Sequence, residues 1–504
     1  MQTWQNKARQ IFSLITVCFI LTVVFTYFTA TATSVNQDET VGSGKKYIIA
    51  MDTTFAPFEF EDSQGNRIGI DVELLEAIAK DQGFEYEARA IGFDAALQAV
   101  ESGQADGILA GCSITEERKK KMDFSTPYFD SGISMAVSND NHSVESYADL
   151  QGKKVAVKVG TEGAVLANTL SSQYGFSVVT FDDSANMYED VKLGNTVACF
   201  EDYPVLGYAI SQNIGLKLIG EKEAGSSYGL GVKKGHNTEL LQMFNDGLEN
   251  VKTSGEYQRI LDTYIASGES ISSVIDTKES INFFLLLGET FPRFIEAAGI
   301  TLWITAVSLI FAVILGLFFC ALRISKWKTL HVITKVYLWI IRGTPVIVQA
   351  FMIYFGIPKL VGFTMPVEVA SIITLSMNAG AYLSEIFRSG IDAVDIGQME
   401  AARSLGMPYM RTMQKVIFPQ AARIVIPSVI NQFIITLKDS SILSVIGLSE
   451  LTKVGKAIVA RNLESFQTYL ILAIYYLILV SLLTALSALI ERRLRRGKIK
   501  GSGK

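Results

Sequence analysis

The sequence predicts a two-lobed α/β domain followed by an all-α membrane domain of five helices. Three observations predict this: apolar residues concentrate at the N-terminus and after about residue 280, short strand and helix patterns alternate from Tyr47 onward, and five long apolar runs occupy the second half. A chain of 504 residues has room for two or three domains. Hydrophobic residues make up 49% and charged residues 19%, against about 25% charged in an average soluble domain. The net charge of −5 does not indicate a nucleic-acid partner.

The N-terminal segment, residues 1–36, reads as an export signal. Lys7 and Arg9 precede the apolar run 11–28, and Ala30-Thr31-Ala32 has the small-residue pattern of a cleavage site. The apolar run is also near the lower length limit for a membrane span, so an uncleaved N-terminal anchor is the alternative. Residues 37–45 form a polar linker in either case, and we expect the domain after this linker to be exported.

Residues 46–268 alternate strand and helix patterns. Strands are predicted at 47–50, 86–90, 155–159, 177–181 and 197–199, with helices at 72–80 and 95–101. This alternation predicts an α/β fold with mostly parallel sheets. About 220 residues exceed one typical hydrophobic core, so we expect two lobes. Ligands of such sheets bind beyond the carboxyl ends of the strands, which places a ligand between the lobes.

The second half of the chain reads as a membrane domain. Residues 269–289 are predicted to be a tether, and residues 290–495 contain apolar spans at about 294–322, 334–357, 366–388, 417–437 and 467–490. Each span has the roughly 20 residues that cross the hydrocarbon layer.

Basic residues predict the orientation of these spans. Arg323, Lys326 and Lys328 come after the first span, and a basic cytoplasmic tail, 496–504, ends the sequence. Because Lys and Arg favour the cytoplasmic side, five spans starting outside fit an exported domain ahead of them. Three residues are exceptions that this topology places outside, and they either lie at the interface or face the binding domain: Lys453, Lys456 and Arg461.

A short amphipathic segment at about 392–416 lies between two of these spans. It contains Glu400-Ala401-Ala402-Arg403-Ser404-Leu405-Gly406, and after nine more residues Val416-Ile417-Phe418-Pro419. This pattern resembles the EAA loop of ABC-importer permeases, with Val416 and Phe418 where that family prefers Ile and Leu. The resemblance implies a cytoplasmic coupling helix that docks on a separate ATPase subunit through Glu400, Ala401, Ala402 and Gly406. An ordinary amphipathic loop helix is the alternative.

Further segments extend the resemblance to permeases of polar amino acid ABC importers over residues 285–495. They are Arg342-Gly343-Thr344-Pro345, the run 381–390 (AYLSEIFRSG) and the run 438–447 (KDSSILSVIG). Polar residues within membrane spans usually face a path or a partner helix. The candidates for lining the translocation path are Gln349, Asn378, Asn431 and Gln432, with helix–helix hydrogen bonding as the alternative.

The exported block resembles the polar amino acid branch of ABC substrate-binding proteins, which have the periplasmic-binding-protein fold. The resemblance rests on the runs 54–60 (TFAPFEF), 69–74 (GIDVEL), 114–118 (ITEER), 124–128 (FSTPY) and 149–157 (DLQGKKVAV). It implies one amino acid held between two lobes joined by hinge strands near 133–137 and 228–232.

The resemblance and the chemistry of a free amino acid together assign the pocket. Arg118 offers a two-pronged donor to the carboxylate, and Thr161 adds a hydroxyl and a backbone N–H at a helix N-terminus. Asp202 pairs with the ammonium, helped by the carbonyl of Gly111 and the hydroxyl of Ser113. For Arg118 and Asp202 the alternative is a surface ion pair.

Aromatic residues and three charged residues complete the predicted pocket. Phe55 and Phe93 would sandwich the aliphatic stem of the ligand, with plain core packing as the alternative. Lys158 would repel a cationic side chain, whereas Asp52 and Glu201 would repel glutamate. A neutral amide satisfies both sets, and relatives with lysine at the position of Lys158 resemble glutamine binders. Glutamine is therefore favoured, with asparagine or glutamate as alternatives.

The predicted partners are those that the importer resemblance implies. The sequence contains no G-x-x-x-x-G-K-[ST] motif, so we expect no cofactor in this chain, with ATP and Mg bound by two copies of a separate ATPase. The resemblance also implies a homodimer through the permease domain. A multi-pass plasma-membrane protein with an extracellular, attached binding domain suits a Gram-positive bacterium. An amino-acid-gated channel or a sensor receptor built on the same binding fold is the alternative function.

Overall fold

The computed structural model describes residues 46–62, 64–265, 283–325, 327–462 and 465–499. The predicted signal or anchor, the linker and most of the tether lie outside these residues. The described chain comprises a two-lobed α/β domain and a helical domain, which confirms the predicted fold class.

Two five-stranded sheets form the cores of the two lobes. Lobe 1 has the strand order β4-β1-β5-β12-β6, and lobe 2 has the order β11-β7-β10-β8-β9. The strands are β1 Lys46–Met51, β4 Glu85–Ala90, β5 Gly107–Ile108, β6 Met122–Phe124, β7 Phe129–Ser138, β8 Lys154–Lys158, β9 Ser177–Phe181, β10 Ala198–Asp202, β11 Leu216–Tyr228 and β12 Gly231–Lys233. Strands β2 Phe60–Glu61 and β3 Arg67–Ile68 form a small antiparallel hairpin on lobe 1.

The prediction of mostly parallel sheets is wrong, because each sheet mixes parallel and antiparallel pairs. Three strands of each sheet run parallel, at β4-β1-β5 and at β10-β8-β9. The remaining pairs are antiparallel. The reason is that the chain crosses between lobes twice, so each sheet receives strands that arrive from the other lobe.

The crossovers lie at residues 125–128, between β6 and β7, and at residues 229–230, between β11 and β12. They run side by side, because the Ser125 N–H donates to the Leu230 carbonyl at 2.9 Å and the Tyr128 N–H donates to the Tyr228 carbonyl at 2.9 Å. The second hinge agrees with the predicted 228–232. The first was placed too late, since 133–137 lies inside β7 of lobe 2.

Amphipathic helices cover both sheets. They are α1 Ile70–Gln82, α2 Phe93–Ser102, α3 Glu116–Lys119, α4 Glu162–Tyr174, α5 Ser184–Lys192, α6 Tyr203–Ser211, α7 Thr238–Thr253 and α8 Glu256–Tyr264. Helix α1 shows the principle: Ile70, Leu74 and Ile78 recur at helical spacing and are fully buried, whereas Gly83 ends the helix in the left-handed conformation.

The helical domain begins earlier than predicted. Helix α9, Phe283–Ile324, includes residues 283–289 that were assigned to the tether. The later helices are α10 Lys328–Gly343, α11 Val346–Phe351, α12 Ile357–Val361, α13 Val367–Asp392, α14 Ile396–Ser404, α15 Tyr409–Thr412, α16 Phe418–Asp439, α17 Leu451–Asn462 and α18 Ser465–Ile499. Small residues let α9 and α13 approach closely, because a Cβ on Gly316 would lie 2.8 Å from the Leu383 Cβ.

Three described helical stretches are long and apolar enough to cross a membrane: Phe283–Ile324, Tyr409–Ile446 and Ser465–Ile490. The predicted span 334–357 is not one straight helix, since Lys328–Gly343 and Val346–Val361 meet at 107°. It is therefore a broken span or a re-entrant loop. The predicted span 366–388 lies in α13, which has 26 residues but is not among the stretches that meet the length and composition of a membrane span.

Candidate functional site

The predicted pocket residues gather where the strands of both lobes end. Asp52 comes directly after β1, Lys158 ends β8 and Asp202 ends β10. Gly111 and Arg118 lie after β5 in lobe 1. Parallel strands deliver their carboxyl ends to one edge of a sheet, and the two edges face each other across the interlobe cleft.

The cleft is closed by contacts that cross it. The Lys158 ammonium of lobe 2 pairs with the Asp52 carboxylate of lobe 1, and both side chains are 1% exposed. Arg118 Nη2 of lobe 1 donates to the Gly160 carbonyl of lobe 2 at 3.0 Å. These contacts hold charged groups from both lobes in one water-poor space.

Arg118 is oriented by neighbours that leave its guanidinium in the cleft. Its Nη1 donates to the Ser113 carbonyl at 2.8 Å, and the guanidinium carbon lies 5.1 Å from the centre of the Phe93 ring. A guanidinium fixed against an aromatic face presents a planar donor fork to a carboxylate. This geometry fits the predicted role of Arg118 as the donor to the ligand carboxylate. The Ser113 hydroxyl and the Gly111 carbonyl, predicted to assist the ammonium, belong to the same segment after β5.

Thr161 occupies the N-cap of α4, as the sequence predicts, but its hydroxyl is engaged locally. The hydroxyl donates to the Lys158 carbonyl at 2.8 Å and accepts from the Ala164 N–H at 3.3 Å. This turn can still offer an anionic ligand the backbone N–H groups of the helix N-terminus.

Asp202 and Glu201 are buried at the end of β10. Asp202 accepts a hydrogen bond from the Tyr228 hydroxyl, and Glu201 accepts one from the Ser184 hydroxyl at 2.7 Å. Burial and the neighbouring charge of Glu201 raise the pKa of Asp202 to about 7. Burial also raises the pKa of Glu201. A ligand ammonium beside Asp202 would favour the charged form of its carboxylate.

The Lys158 ammonium stays charged although it is buried. Burial opposes its charge, but Asp52 and Glu201 outweigh this effect and raise the pKa of Lys158. Its Nζ also lies 5.2 Å from the centre of the Phe55 ring. The structure therefore brings together all three residues assigned to selectivity.

Phe55 packs against Gly111, a position that has no room for a side chain. A Cβ on Gly111 would lie 2.2 Å from Phe55 Cε1, and the φ of Gly111 is +51°. Phe55 and Phe93 are both buried, at 3% and 6% exposure. Both rings lie beside cleft residues, as the pocket assignment requires.

The sequence analysis did not predict two buried carboxylates that accept hydrogen bonds from the backbone of pocket residues. Glu59 accepts from the Asp52 N–H at 3.0 Å, and Asp71 accepts from the Gly111 N–H at 2.8 Å. Burial raises the pKa of Glu59 well above its usual value and that of Asp71 to about 6. Tyr228 and Ser184 were also missed. The placement of Tyr228 at a predicted hinge strand was the one sequence signal available.

Amino acid binding should weaken at low pH because Asp202 must lose a proton to pair with an ammonium. Because burial raises the pKa of Asp202 toward neutrality, the dissociation constant should be higher at pH 6 than at pH 8. Calorimetry at the two pH values measures this, and the Asp202→Asn chain should bind more weakly with a shallower pH dependence. Equal affinity of the unaltered protein at both pH values would refute the assignment of Asp202.

The EAA-like segment forms a largely exposed helix between α13 and α16. Asp395 caps α14 by accepting from the Gly397 N–H at 2.7 Å. Glu400 and Ala401 are exposed, Ala402 is buried, and Gly406 turns the chain with a φ of +81°. The segment thus presents one face outward and holds the other against its own domain.

The four candidate path residues have different surroundings. The Gln349 amide donates to the Ile341 carbonyl at 2.7 Å and to the Thr344 carbonyl at 3.0 Å, so it closes the break between α10 and α11. This is the helix–helix hydrogen bonding that was the alternative. Asn378 and Gln432 are buried, and Asn431 is exposed.

Comparison with known proteins identifies two families in this chain. Residues 47–267 match bacterial extracellular solute-binding proteins, family 3. Residues 308–496 match the binding-protein-dependent transport system inner membrane component. Together the two matches cover most of the chain.

Three relatives match the membrane domain. A probable amino-acid permease protein, YxeN, of Bacillus subtilis is 39% identical over 41% of this chain and 93% of its own length. The arginine transport system permease protein ArtQ of B. subtilis is 37% identical over 40% and 93%. The glutamine transport system permease protein GlnP of Escherichia coli is 35% identical over 40% and 94%.

The binding domain is similar to solved structures. The second substrate-binding domain of a putative amino acid ABC transporter from Streptococcus pneumoniae is 47% identical over 44% of this chain and 100% of that chain, with a TM-score of 0.35.

Proposed function

We propose that this chain, which belongs to the amino acid ABC importers, is the glutamine-binding and membrane-spanning subunit of such an importer. It joins a family 3 solute-binding domain to a binding-protein-dependent permease. The observation that carries the proposal is the closed cleft in which Arg118, Asp202 and Lys158 converge. These groups match the carboxylate, the ammonium and the side chain of one free amino acid.

The charges of the cleft support a neutral amide as the ligand side chain. The Lys158–Asp52 pair and Glu201 place both signs of charge in a buried space. A cationic side chain would meet the Lys158 ammonium, and an anionic one would meet two carboxylates. An amide both donates and accepts, so it leaves no buried group unpaired. Asparagine, which is one methylene shorter, and glutamate are weaker candidates.

Replacing Lys158 by methionine should move the preference of the protein from glutamine toward arginine. The change leaves the buried carboxylates of Asp52 and Glu201 without their cation, so a cationic ligand gains the compensating role. We expect arginine affinity to rise about tenfold or more and glutamine affinity to fall by a similar factor.

Calorimetry on the purified full chain with glutamine, arginine and glutamate measures this change. Lys192→Met is a suitable control, because Lys192 is a surface residue paired with Glu189 on helix α5. If the unaltered protein bound arginine far more tightly than glutamine, the assignment of the substrate would be wrong.

We infer that a separate ATPase drives the importer. The exposed helix α14, with Glu400, Ala401 and the turn at Gly406, would dock on that subunit. ATP and Mg would be bound there and not by this chain. A homodimer of this chain would bind two ATPase copies and would place two permease domains around one path.

The proposed topology places the binding domain outside a plasma membrane. Lys453, Lys456 and Arg461, the three exceptions to the charge rule, lie beside the binding domain in the structure. Acidic residues of the binding domain that line the same cavities, such as Glu61 and Asp190, would offset part of this positive charge. An attached receptor keeps a high effective concentration at its permease and suits a Gram-positive cell.

A further inference from the structure

The basic face of helix α17 contacts both lobes of the binding domain. Arg461 Nη1 donates to the Asp62 carbonyl of lobe 1 at 3.3 Å. Lys453 lines a cavity of about 210 Å³ together with Glu61 and Arg67 of the same lobe. Lys456, one turn from Lys453, faces lobe 2 instead. One short helix of the permease domain therefore lies beneath both lobes.

Lobe 1 is held on the permease domain by charged and polar contacts with little solvent exposure. The Glu61 carboxylate on the β2–β3 hairpin pairs with the Arg293 guanidinium of α9, and the two side chains are 16% and 20% exposed. The Gln104 side chain donates to the Phe363 carbonyl at 3.3 Å and accepts from the Met365 N–H at 2.8 Å. These contacts fix the orientation of lobe 1.

An apolar cluster continues from lobe 1 into the permease domain. Ile91 and Val100 share a buried cluster with Ile304 and Leu448. Gly447 lies so close that its Cβ would be 2.3 Å from Ile91 Cγ2. A continuous core of this kind is typical of a lasting interface and not of a transient one.

Lobe 2 contacts the permease domain through a thinner, polar interface. The Asn186 side chain of α5 donates to the Tyr469 hydroxyl of α18 at 3.2 Å. Beside it, a groove of about 560 Å³ separates Lys456 from acidic residues of lobe 2, among them Asp182 and Asp190. Charges across a hydrated groove attract each other only weakly, because water and salt screen them.

We propose that lobe 1 remains seated on its own permease domain and that lobe 2 reaches Tyr469 and Lys456 only when the cleft is closed. The inference rests on the proposed function, since a bound amino acid would favour the closed cleft. The present contacts of lobe 2 accompany a cleft closed by Lys158–Asp52 and Arg118–Gly160. Rotation about the crossovers at 125–128 and 229–230 would open the cleft and carry α5 away from Tyr469 while lobe 1 stays in place.

Two matched cysteine pairs test the inference in the full chain in nanodiscs, with the native cysteines replaced by alanine. The lobe 2 pair is Asn186→Cys with Tyr469→Cys. The lobe 1 pair is Glu101→Cys with Lys359→Cys, whose native side chains form a partly exposed ion pair at 4.0 Å. A short bis-maleimide should cross-link the lobe 2 pair about tenfold faster with saturating glutamine. The lobe 1 pair should react at the same rate with and without glutamine.

A disulfide across the cleft supplies a version of the test that needs no ligand. A Cβ on Gly160 of lobe 2 would lie 3.8 Å from the Asp94 Cβ of lobe 1, which is the usual separation in a disulfide. Oxidised Asp94→Cys with Gly160→Cys should therefore lock the cleft closed, with the disulfide offsetting the backbone strain of a cysteine at a φ of +78°. In the locked chain the lobe 2 pair should react at its fast rate without any amino acid.

Three results would overturn the inference. They are a lobe 2 rate that the lock leaves unchanged, a lobe 1 rate that changes together with the lobe 2 rate, and a lobe 2 pair that reacts equally fast in the unlocked chain without ligand. A lobe 2 pair that reacts fast in the locked chain, and slowly in the unlocked chain whether or not glutamine is present, would support the inference. It would also show that the proposed substrate is wrong.

Discussion

Replacing Arg118 by methionine should weaken glutamine binding by about 100- to 1,000-fold, which corresponds to roughly 3–4 kcal/mol. The guanidinium is held in the cleft by the Ser113 and Gly160 carbonyls and lies against Phe93. Methionine keeps much of the apolar length but removes every donor to the ligand carboxylate, which would then be buried without a partner. Calorimetry on the full chain measures the loss.

A matched change elsewhere separates this effect from general damage. Arg259 is half exposed and pairs with Glu73 and Glu256 on the outer face of lobe 1. Arg259→Met should leave glutamine affinity unchanged. If Arg118→Met lowered affinity less than threefold in a folded protein, Arg118 would not be the carboxylate receptor.

Replacing Glu400 by lysine, or Gly406 by valine, should abolish ATP-driven uptake while leaving glutamine binding intact. Glu400 is exposed on α14, and its charge reversal would disrupt a docked partner. Gly406 has a φ of +81°, a conformation that costs a β-branched residue about 1–3 kcal/mol. Uptake into liposomes that contain the chain and an ATPase should fall at least about tenfold.

The control for the charge reversal is Glu249→Lys, at an exposed position of helix α7 on the binding domain. Both uptake and binding should survive this change. Loss of glutamine binding in the Glu400→Lys or Gly406→Val chain would contradict the division of labour between the two domains.

The family resemblance and the chemistry of a free amino acid together predicted which residues gather at the strand ends that face the cleft. Arg118, Asp202 and Lys158 all lie in the cleft. Local chemistry could not show how these groups pair with one another when the lobes close. The Lys158–Asp52 pair joins residues 106 positions apart, and its formation depends on the rotation of one lobe against the other.

A hydrogen bond also bears on one case in which the sequence left alternatives, that of Gln349. Gln349 was as compatible with a transport path as with a structural hydrogen bond, and the bend of 107° after Gly343 explains why a structural bond is needed there. The first hinge was misplaced because the resemblance implied a strand near 133–137, which lies inside β7. The chain leaves lobe 1 earlier, at residues 125–128.

Three basic residues of α17 depart from the charge distribution that the predicted topology requires. Lys453, Lys456 and Arg461 contradict the charge rule if each loop is considered alone. The structure places them opposite acidic side chains and carbonyls of the binding domain. Basic residues that the charge rule does not explain thus indicated a part of α17 that faces the binding domain.

The most direct test of the importer function is glutamine uptake into liposomes that contain this chain with an ABC ATPase from the same cell. With ATP enclosed on the ATPase side, glutamine should accumulate inside against its gradient, and arginine should not. Without ATP, or with the Glu400→Lys chain, no accumulation should occur. Glutamine-dependent flux that proceeds equally without ATP and stops at equilibrium would identify a ligand-gated channel and contradict the importer function.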